Sequence, residues 1–433
     1  MREMKESNIS WVGEMPCSWK IEKNKHCFQL EKNIVGENKD KFELLSLTKK
    51  GIIKKDESST GGKVPESFET YQSVKKGQLV MCLFDLDVSA VFSGLSNYDG
   101  MISPAYKVYN CNKIIDKNYA KYWFEFCFDG RKYKAYSKSL RYVVNTEDFG
   151  PIEILLPPKE EQEKIAEFLD KKIAEIDTVI DKTKETIEDY KKYKQLLITD
   201  VVTHGLNKNV EMNNSGVKWI GIIPKTWKII KLKFLFEAGS LKIGPFGSAL
   251  TGKTLAEGPV KIYNQANLIE NNFALSRHYI DEETFNELKN YEIIPGDILF
   301  SMMGTVGKCK IMPDGYSKGI MDSHLIKARL NNNLILNEFF EYVYDKDYSN
   351  VIIEQLLYYS NGTIMNGLNS TILKNVSIAI PDINEQLQIV NYLKKKTQEI
   401  DNLIDSKSKI IEELEQYKKS LIYEYVTGKK EVV

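Results

Sequence analysis

The chain has little of what usually announces a function. Lys and Arg number 60 and Asp and Glu 60, so formal charge cancels at pH 7. No field of one sign draws the whole molecule to nucleic acid, although local basic faces can coexist with acidic helices. Six cysteines, at 17, 27, 82, 111, 127 and 309, include no C-x-x-C pair. Their spacing fits neither a zinc site nor a disulfide frame and reads as reduced, buried thiols. The four histidines, His26, His204, His278 and His324, show no metal-ligand spacing. No apolar run approaches the ~18 residues of a membrane span, and Met1 to Glu6 carries no apolar signal region. The expectation is a cytoplasmic protein without metal or membrane. With 433 residues and a 42% hydrophobic share, two to four units can each bury an ordinary core.

Catalytic signatures are missing too. Gly247 to Thr254 matches the phosphate-loop pattern G-x-x-x-x-G-K-[ST]. Such a loop needs a buried strand before it and a helix after it, whose N-terminus holds phosphate. Gly244-Pro245-Phe246 precedes the match and Gly258-Pro259 follows closely, leaving no room for that helix. A polar surface loop is expected. Pro381-Asp382 with Asp405-Ser406-Lys407 resembles a nuclease carboxylate–lysine set. Asp405 and Lys407 are two apart on a predicted helix and point to different faces, so this match reads as chance. There is no glycine-rich cofactor loop after a strand and no Asn-Pro-Pro-aromatic signature.

What is there is repetition. Trp11-Val12-Gly13-Glu14-Met15-Pro16-Cys17-Ser18-Trp19 returns as Trp219-Ile220-Gly221-Ile222-Ile223-Pro224-Lys225-Thr226-Trp227. Residues 161–203 return at 385–427 without a gap, with 19 of 43 positions identical. The stretches between these blocks hardly resemble each other. A constant, variable, constant, variable order suggests two different recognition surfaces on one repeated frame.

The second repeated block predicts a long helix in each copy. Apolar positions alternate steps of four and three from Ile165 to Val201, and again from Ile389 to Tyr425. This 3.5-residue period marks a coiled-coil seam, with Ile173, Ile176, Ile180, Ile187, Ile400, Ile404, Ile411 and Leu414 on it. Thr183 and Lys407 are polar positions in mid-seam, and Lys194 and Lys418 stand near the end. Pro157-Pro158 and Pro381 precede the Glu-rich starts, and Gly205 and Gly428 supply the stops. About 45 residues at ~1.5 Å rise give a rod of about 67 Å. Two such amphipathic rods bury their stripes most economically on each other. The predicted class is α+β: two mixed α/β domains joined by two long helices in an antiparallel coiled coil, with an internal pseudo-twofold repeat. The boundaries are 1–156, first recognition domain; 157–206, first helix; 207–380, second recognition domain; and 381–433, second helix.

Within the variable regions, Gly77 to Phe84 and Gly296 to Ser301 each enter an apolar strand from a turn, and Ile152 to Pro157 and Val376 to Pro381 close each region. They read as divergent versions of one fold. Between Tyr119 and Tyr142, Lys121, Arg131, Lys132, Lys134, Lys138 and Arg141 alternate with Tyr122, Trp123, Tyr133 and Tyr136. Cations with aromatics suit a nucleic-acid surface; a solvated helix face with its aromatics in the core accounts for the pattern as well. The corresponding stretch, Tyr358 to Ser370, is rich in Asn, Ser and Thr.

Taken in order, these phrases resemble the specificity subunit of Type I restriction–modification enzymes over nearly the full length. The resemblance rests on Trp11 to Trp19 and Trp219 to Trp227, on Leu156 to Gln162 with the looser Ile380 to Gln386, and on the heptads at Ile176 to Asp181 and Ile400 to Asp405. Ile243 to Ser248, Gly296 to Leu299, Gly362 to Leu368, Leu83 to Asp87 and Met101 to Tyr106 look like target-recognition phrases. The resemblance implies a non-catalytic subunit that reads double-stranded DNA. Each recognition domain would read half of a bipartite, asymmetric site, and the helices would set the spacer and dock two modification subunits. Those partners are similar to adenine-N6 methyltransferases that use S-adenosylmethionine; restriction subunits would add ATP and Mg. No cofactor is expected in this chain. The candidate DNA contacts are Lys132, Lys134, Tyr136, Lys138, Arg141 and Tyr142 in the first half. In the second they are Lys242, Ser248, Lys308, Thr363, Asn366 and Asn369.

Two other classes explain parts of the pattern: a coiled-coil scaffold whose modules bind protein or sugar, and an autonomous enzyme, an ATPase through Lys253 or a nuclease.

Overall fold

A computed structural model describes residues 2–49, 51–55, 67–88, 92–137, 142–245, 247–303, 306–349, 351–359 and 367–432. It divides into two compact units, Met1–Thr183 with Lys409–Val433, and Lys184–Ser408.

The first unit is built on a four-stranded antiparallel sheet in the order Phe28–Glu31, Lys107–Cys111, Leu79–Met81, Ser93–Leu95. The second unit has the same sheet in the same order: Lys242–Ile243, Leu325–Ala328, Ile298–Ser301, Cys309–Ile311. The inner strands Leu79–Met81 and Ile298–Ser301 are buried at every position, which is why they read as unbroken apolar runs rather than alternating ones. Gly77 and Gly296 stand at the turn before them, with φ of 91° and 84°, where a side chain would be strained.

A second layer shows how far the two versions have diverged. In the second unit, Tyr279–Ile280, Val260–Tyr263, Gly319–Met321 and Glu292–Ile293 form one sheet with a parallel central pair. In the first unit the same order survives as two separate pairs, Gly51–Lys54 with Leu45–Thr48 and Gly100–Ile102 with Gln72–Val74. A parallel bridge, Leu44 to Met101, connects them. Gly100 and Gly319 occupy the same place at that junction. A Cβ on Gly100 would lie 2.5 Å from the Glu43 carbonyl oxygen, and one on Gly319 would lie 2.6 Å from the Lys261 carbonyl oxygen.

Each unit closes with a two-stranded ribbon that joins its two ends: Lys20–Lys23 with Glu153–Leu156, and Lys228–Lys231 with Ser377–Ile380. The first core is aromatic, with Trp19, Tyr119, Trp123, Phe124, Tyr133 and Phe149 buried; the second holds Trp227, Phe300, Phe339, Phe340 and Tyr344. Tyr122, Trp123 and Tyr133 therefore belong to packing, as the core reading of the Tyr119–Tyr142 stretch required.

The long helices span Lys159–His204 and Ile383–Val426. Gly205 and Gly428, both at φ 72°, end them. In the first unit Phe168 packs on Tyr425 and Asp177 meets Lys418. As one helix ascends the other descends, so the segments are antiparallel. In the second unit Lys194 meets Asp401, while Ile198 and Val202 share a core with Ile389 and Leu393. Ile173, Ile176, Ile180, Ile187 and Ile400 are buried, whereas Ile404, Ile411 and Leu414 are half-buried. Thr183 turns its hydroxyl back to the Val179 carbonyl at 2.7 Å, which satisfies the polar seam position locally. No helix among the described residues is long and apolar enough to cross a membrane.

Candidate nucleic-acid interface

The repeated sequence phrases make repeated contacts. Trp19 donates its indole N–H to Glu161 at 2.9 Å, and Trp227 donates to Glu385 at 3.1 Å. The following glutamine is a clamp. Gln162 accepts from the Asp116 backbone N–H (2.7 Å) and donates to the Ile114 and Pro157 carbonyls (3.1 and 2.9 Å). Gln386 does the same with Leu336, Leu334 and Pro381, at 2.8, 3.0 and 3.0 Å. Both glutamines are buried, so each side-chain amide satisfies backbone groups that would otherwise be stranded. These contacts fix the recognition fold of each unit to its own helix start.

The variable phrases converge elsewhere, at the far end of the inner strand. In the second unit Gly244 donates to Leu325 (2.9 Å), Met302 to His324 (3.0 Å) and Leu368 to Met302 (2.7 Å), all through backbone atoms. Segments from four parts of the chain meet there. Gly244 passes so close to the Asp322 carbonyl that a Cβ would lie 1.7 Å from its oxygen. In the first unit Val144 donates to the Leu83 carbonyl at 2.8 Å, the counterpart of Leu368 on Met302. Phe84 stacks on Tyr106 with ring planes 17° apart, so Leu83 to Asp87 and Met101 to Tyr106 meet as well. Asp85 and Tyr142, at φ 50° and 46°, are non-glycine residues in the left-handed region. Such strain persists only where surroundings hold it, and it concentrates at functional loops.

The predicted contact residues divide. Lys134 lies 3.9 Å over the Tyr142 ring, beside the Val144–Leu83 junction. Lys132 turns inward, donating to the Phe126 carbonyl at 3.0 Å over the Phe126 ring, and burial lowers its pKa. Tyr136 accepts from the Trp11 indole at 3.3 Å. Ser248 is exposed in the turn after Gly244. Lys242 reaches the Asn290 carbonyl at 3.3 Å. Lys308 is buried against Asp347, beside Lys310, which bridges Glu341 and Asp345 at 2.6 and 3.2 Å. Burial opposes the charge on Lys310, but the two carboxylates outweigh it and its pKa is raised; this cluster ties the chain after Asn337–Tyr344 to the sheet. Asn369 caps Ser370–Asn375, accepting from Ile372 at 2.9 Å. Lys138, Arg141, Thr363 and Asn366 lie outside the described residues.

Lys253 pairs with Glu287. Leu255, two residues on, bridges Tyr279, so no helix follows the phosphate-loop match. No group of three His, Cys, Asp or Glu that could hold a metal occurs among the described residues. Two residues at the convergent loops escaped sequence reasoning. His324 counted only as a scattered histidine, and Asp322 not at all, because the register that sets them beside Met302 is tertiary.

Two units of one topology, each clamped by the same Trp–Glu–Gln contacts and each carrying different loops, define a duplicated recognition protein. Residues 94–189 and 224–416 match the family model of the Type I restriction modification DNA specificity domain, and the chain belongs to that family. The Type I restriction enzyme MjaVIII specificity subunit of Methanocaldococcus jannaschii is 27% identical over 326 residues, covering 73% of this chain and 71% of the relative. The StySPI specificity subunit of Salmonella potsdam is 23% identical over 279 residues, covering 64% and 58%. A solved chain from work on assembly and conformational transition of the type I R-M system superposes with a TM-score of 0.67 at 15% identity, covering 96% of this chain and 99% of that one. The crystal structure of the HsdS subunit from Thermoanaerobacter tengcongensis gives 0.50 at 16% identity, covering 96% and 98%. At those identities the likeness shows a shared fold.

Proposed function

We propose that this chain is the non-catalytic reader of a bipartite, asymmetric DNA site, each unit reading one half. One observation carries the reading. The contacts that hold each unit together are duplicated residue for residue, while the loops at the end of the inner strand are not. A duplicated frame with unlike tips is what an asymmetric site requires.

The helices offer the same outward face in each unit. Lys172 and Glu175 pair at 2.8 Å, and Lys396 and Glu399 at 2.7 Å. Val179 and Leu403 are 48% and 46% exposed, and Tyr417 and Tyr193 are 53% and 56% exposed. Tyr417 lies close enough to Lys172 to raise its pKa, behind the Glu175 hydrogen bond, and Tyr193 stands likewise to Lys396. Two equal apolar patches, each rimmed by an ion pair, suit two copies of one partner, here adenine-N6 methyltransferase modification subunits. S-adenosylmethionine belongs to those partners. ATP and Mg enter with restriction subunits where a system cuts. Cytoplasmic residence follows from the same assignment.

A scaffold for protein or sugar is the reading to beat, and salt separates the two. Phosphate contacts release counterions, so DNA affinity of the complex with its modification partner is expected to fall about 10³-fold or more between 50 and 200 mM salt. Binding to DNA that is absent, or that ignores salt, overturns the proposal.

A further inference from the structure

Building on that DNA-reading assignment, we infer that His324 is a specificity-determining residue of the second unit, a base-edge contact oriented by Asp322. It sits where the loops converge: its carbonyl accepts from Met302 at 3.0 Å, and Leu325 beside it accepts from Gly244 at 2.9 Å. The backbone there is hydrogen-bonded to segments on both sides. The side chain is 49% exposed, whereas that of Asp322 is 19% exposed. Asp322 holds the histidine twice. One carboxylate oxygen accepts the His324 backbone N–H at 2.9 Å, and the other lies 3.3 Å from Nδ1, as does the Ser323 hydroxyl. With the Nδ1 proton directed at this carboxylate, Nε2 on the far side of the ring is the acceptor offered outward. An acceptor so placed takes a donor from a base edge: the exocyclic amino group of adenine or cytosine in the major groove. Met303, 51% exposed and next in the chain to Met302, supplies an apolar surface of the kind that meets a thymine methyl.

At the equivalent positions the first unit has no histidine. Sheet register puts Ser103, Pro104 and Ala105 where the second unit has Asp322, Ser323 and His324. That tip is held from below by Gln72, which donates to the Ser103 and Tyr106 carbonyls at 3.2 and 2.7 Å. At these register positions the second tip presents a ring nitrogen and the first does not. The difference makes the two half-sites unlike.

The test is genome methylation mapping in a host expressing the full chain with its modification partner, as wild type, His324→Ala and His324→Gln. Co-purification with the partner checks that each variant folds. The expected result for His324→Ala is relaxation at one base position in one half-site, with non-cognate bases there methylated about tenfold more often, while the other half is unchanged. His324→Gln keeps a side-chain acceptor and should relax that position less. A motif unchanged in both halves, or methylation that weakens evenly without relaxing, as for a phosphate contact, overturns the inference. A wild-type map with no two-part motif overturns the DNA-reading assignment itself, and the inference with it.

Discussion

Gly100 and Gly319 show what duplication preserves at the scale of one residue. Both lie where two strands run too close for a side chain, whose Cβ would come within 2.5–2.6 Å of a facing carbonyl oxygen. Alanine at either place must push a strand away. The expected cost is about 1–3 kcal/mol, read as a lower urea midpoint for Gly100→Ala and Gly319→Ala; unchanged midpoints would mean the junction is looser than drawn. The thiols make a second prediction. Burial, with smaller help from Glu22 and neighbouring Cys111, pushes Cys27 up to about 12, and burial with Asp116 pushes Cys111 up to about 12. Unfolded thiols titrate near ~8.5. Below that pH both states hold the proton and the contribution is complete. From about 8.5 to about 12 the unfolded chain ionises while the folded one does not, so stability falls as pH rises. Melting temperature should drop between pH 8 and 10, and drop less steeply in Cys27→Ala. Little of this was legible in the sequence, which shows the glycines and thiols but not the carbonyls and carboxylates that face them.

Elements were more legible, because their signals are local. The 3.5-residue period, the proline starts and the glycine stops predict both long helices, and the turn-then-apolar runs at Gly77 and Gly296 predict the inner strands. What stayed hidden was tertiary. The Tyr119–Tyr142 stretch looked equally like a basic surface and a core helix, and burial places Tyr122, Trp123 and Tyr133 of it in the core. Lys308 was a candidate DNA contact, and the fold buries it against Asp347. On the helices, the exposed Tyr193 and Tyr417 are off the seam, and packing gives no reason for both to be tyrosine. The proposed docking of a modification subunit on each would supply one. Tyr193→Glu or Tyr417→Glu should leave one modification subunit bound, and the double variant none, by native mass spectrometry of the complex. Two subunits retained by the double variant would place the docking face elsewhere.

At the scale of the molecule, each long helix runs unbroken from one unit's residues into the other's, so helix length should set the spacing of the half-sites. Seven residues inserted between Thr183 and Lys184, and seven between Ser408 and Lys409, where the units divide, add about 10.5 Å, or about three base pairs. The spacer should lengthen by that amount while both half-sites keep their sequence; an unchanged spacer would separate helix length from site geometry. The order of repeated phrases made the family legible across the whole chain, while the sequence being read stays encoded in loop surfaces.

The central claim is that unlike loops on a duplicated frame read an asymmetric two-part site. The most direct test is the methylation map of a genome carrying the unaltered chain with its modification partner. The account predicts one adenine-methylated motif of two different halves separated by a fixed run of unspecified bases. A single uninterrupted motif, two identical halves, or no sequence-specific methylation would contradict it.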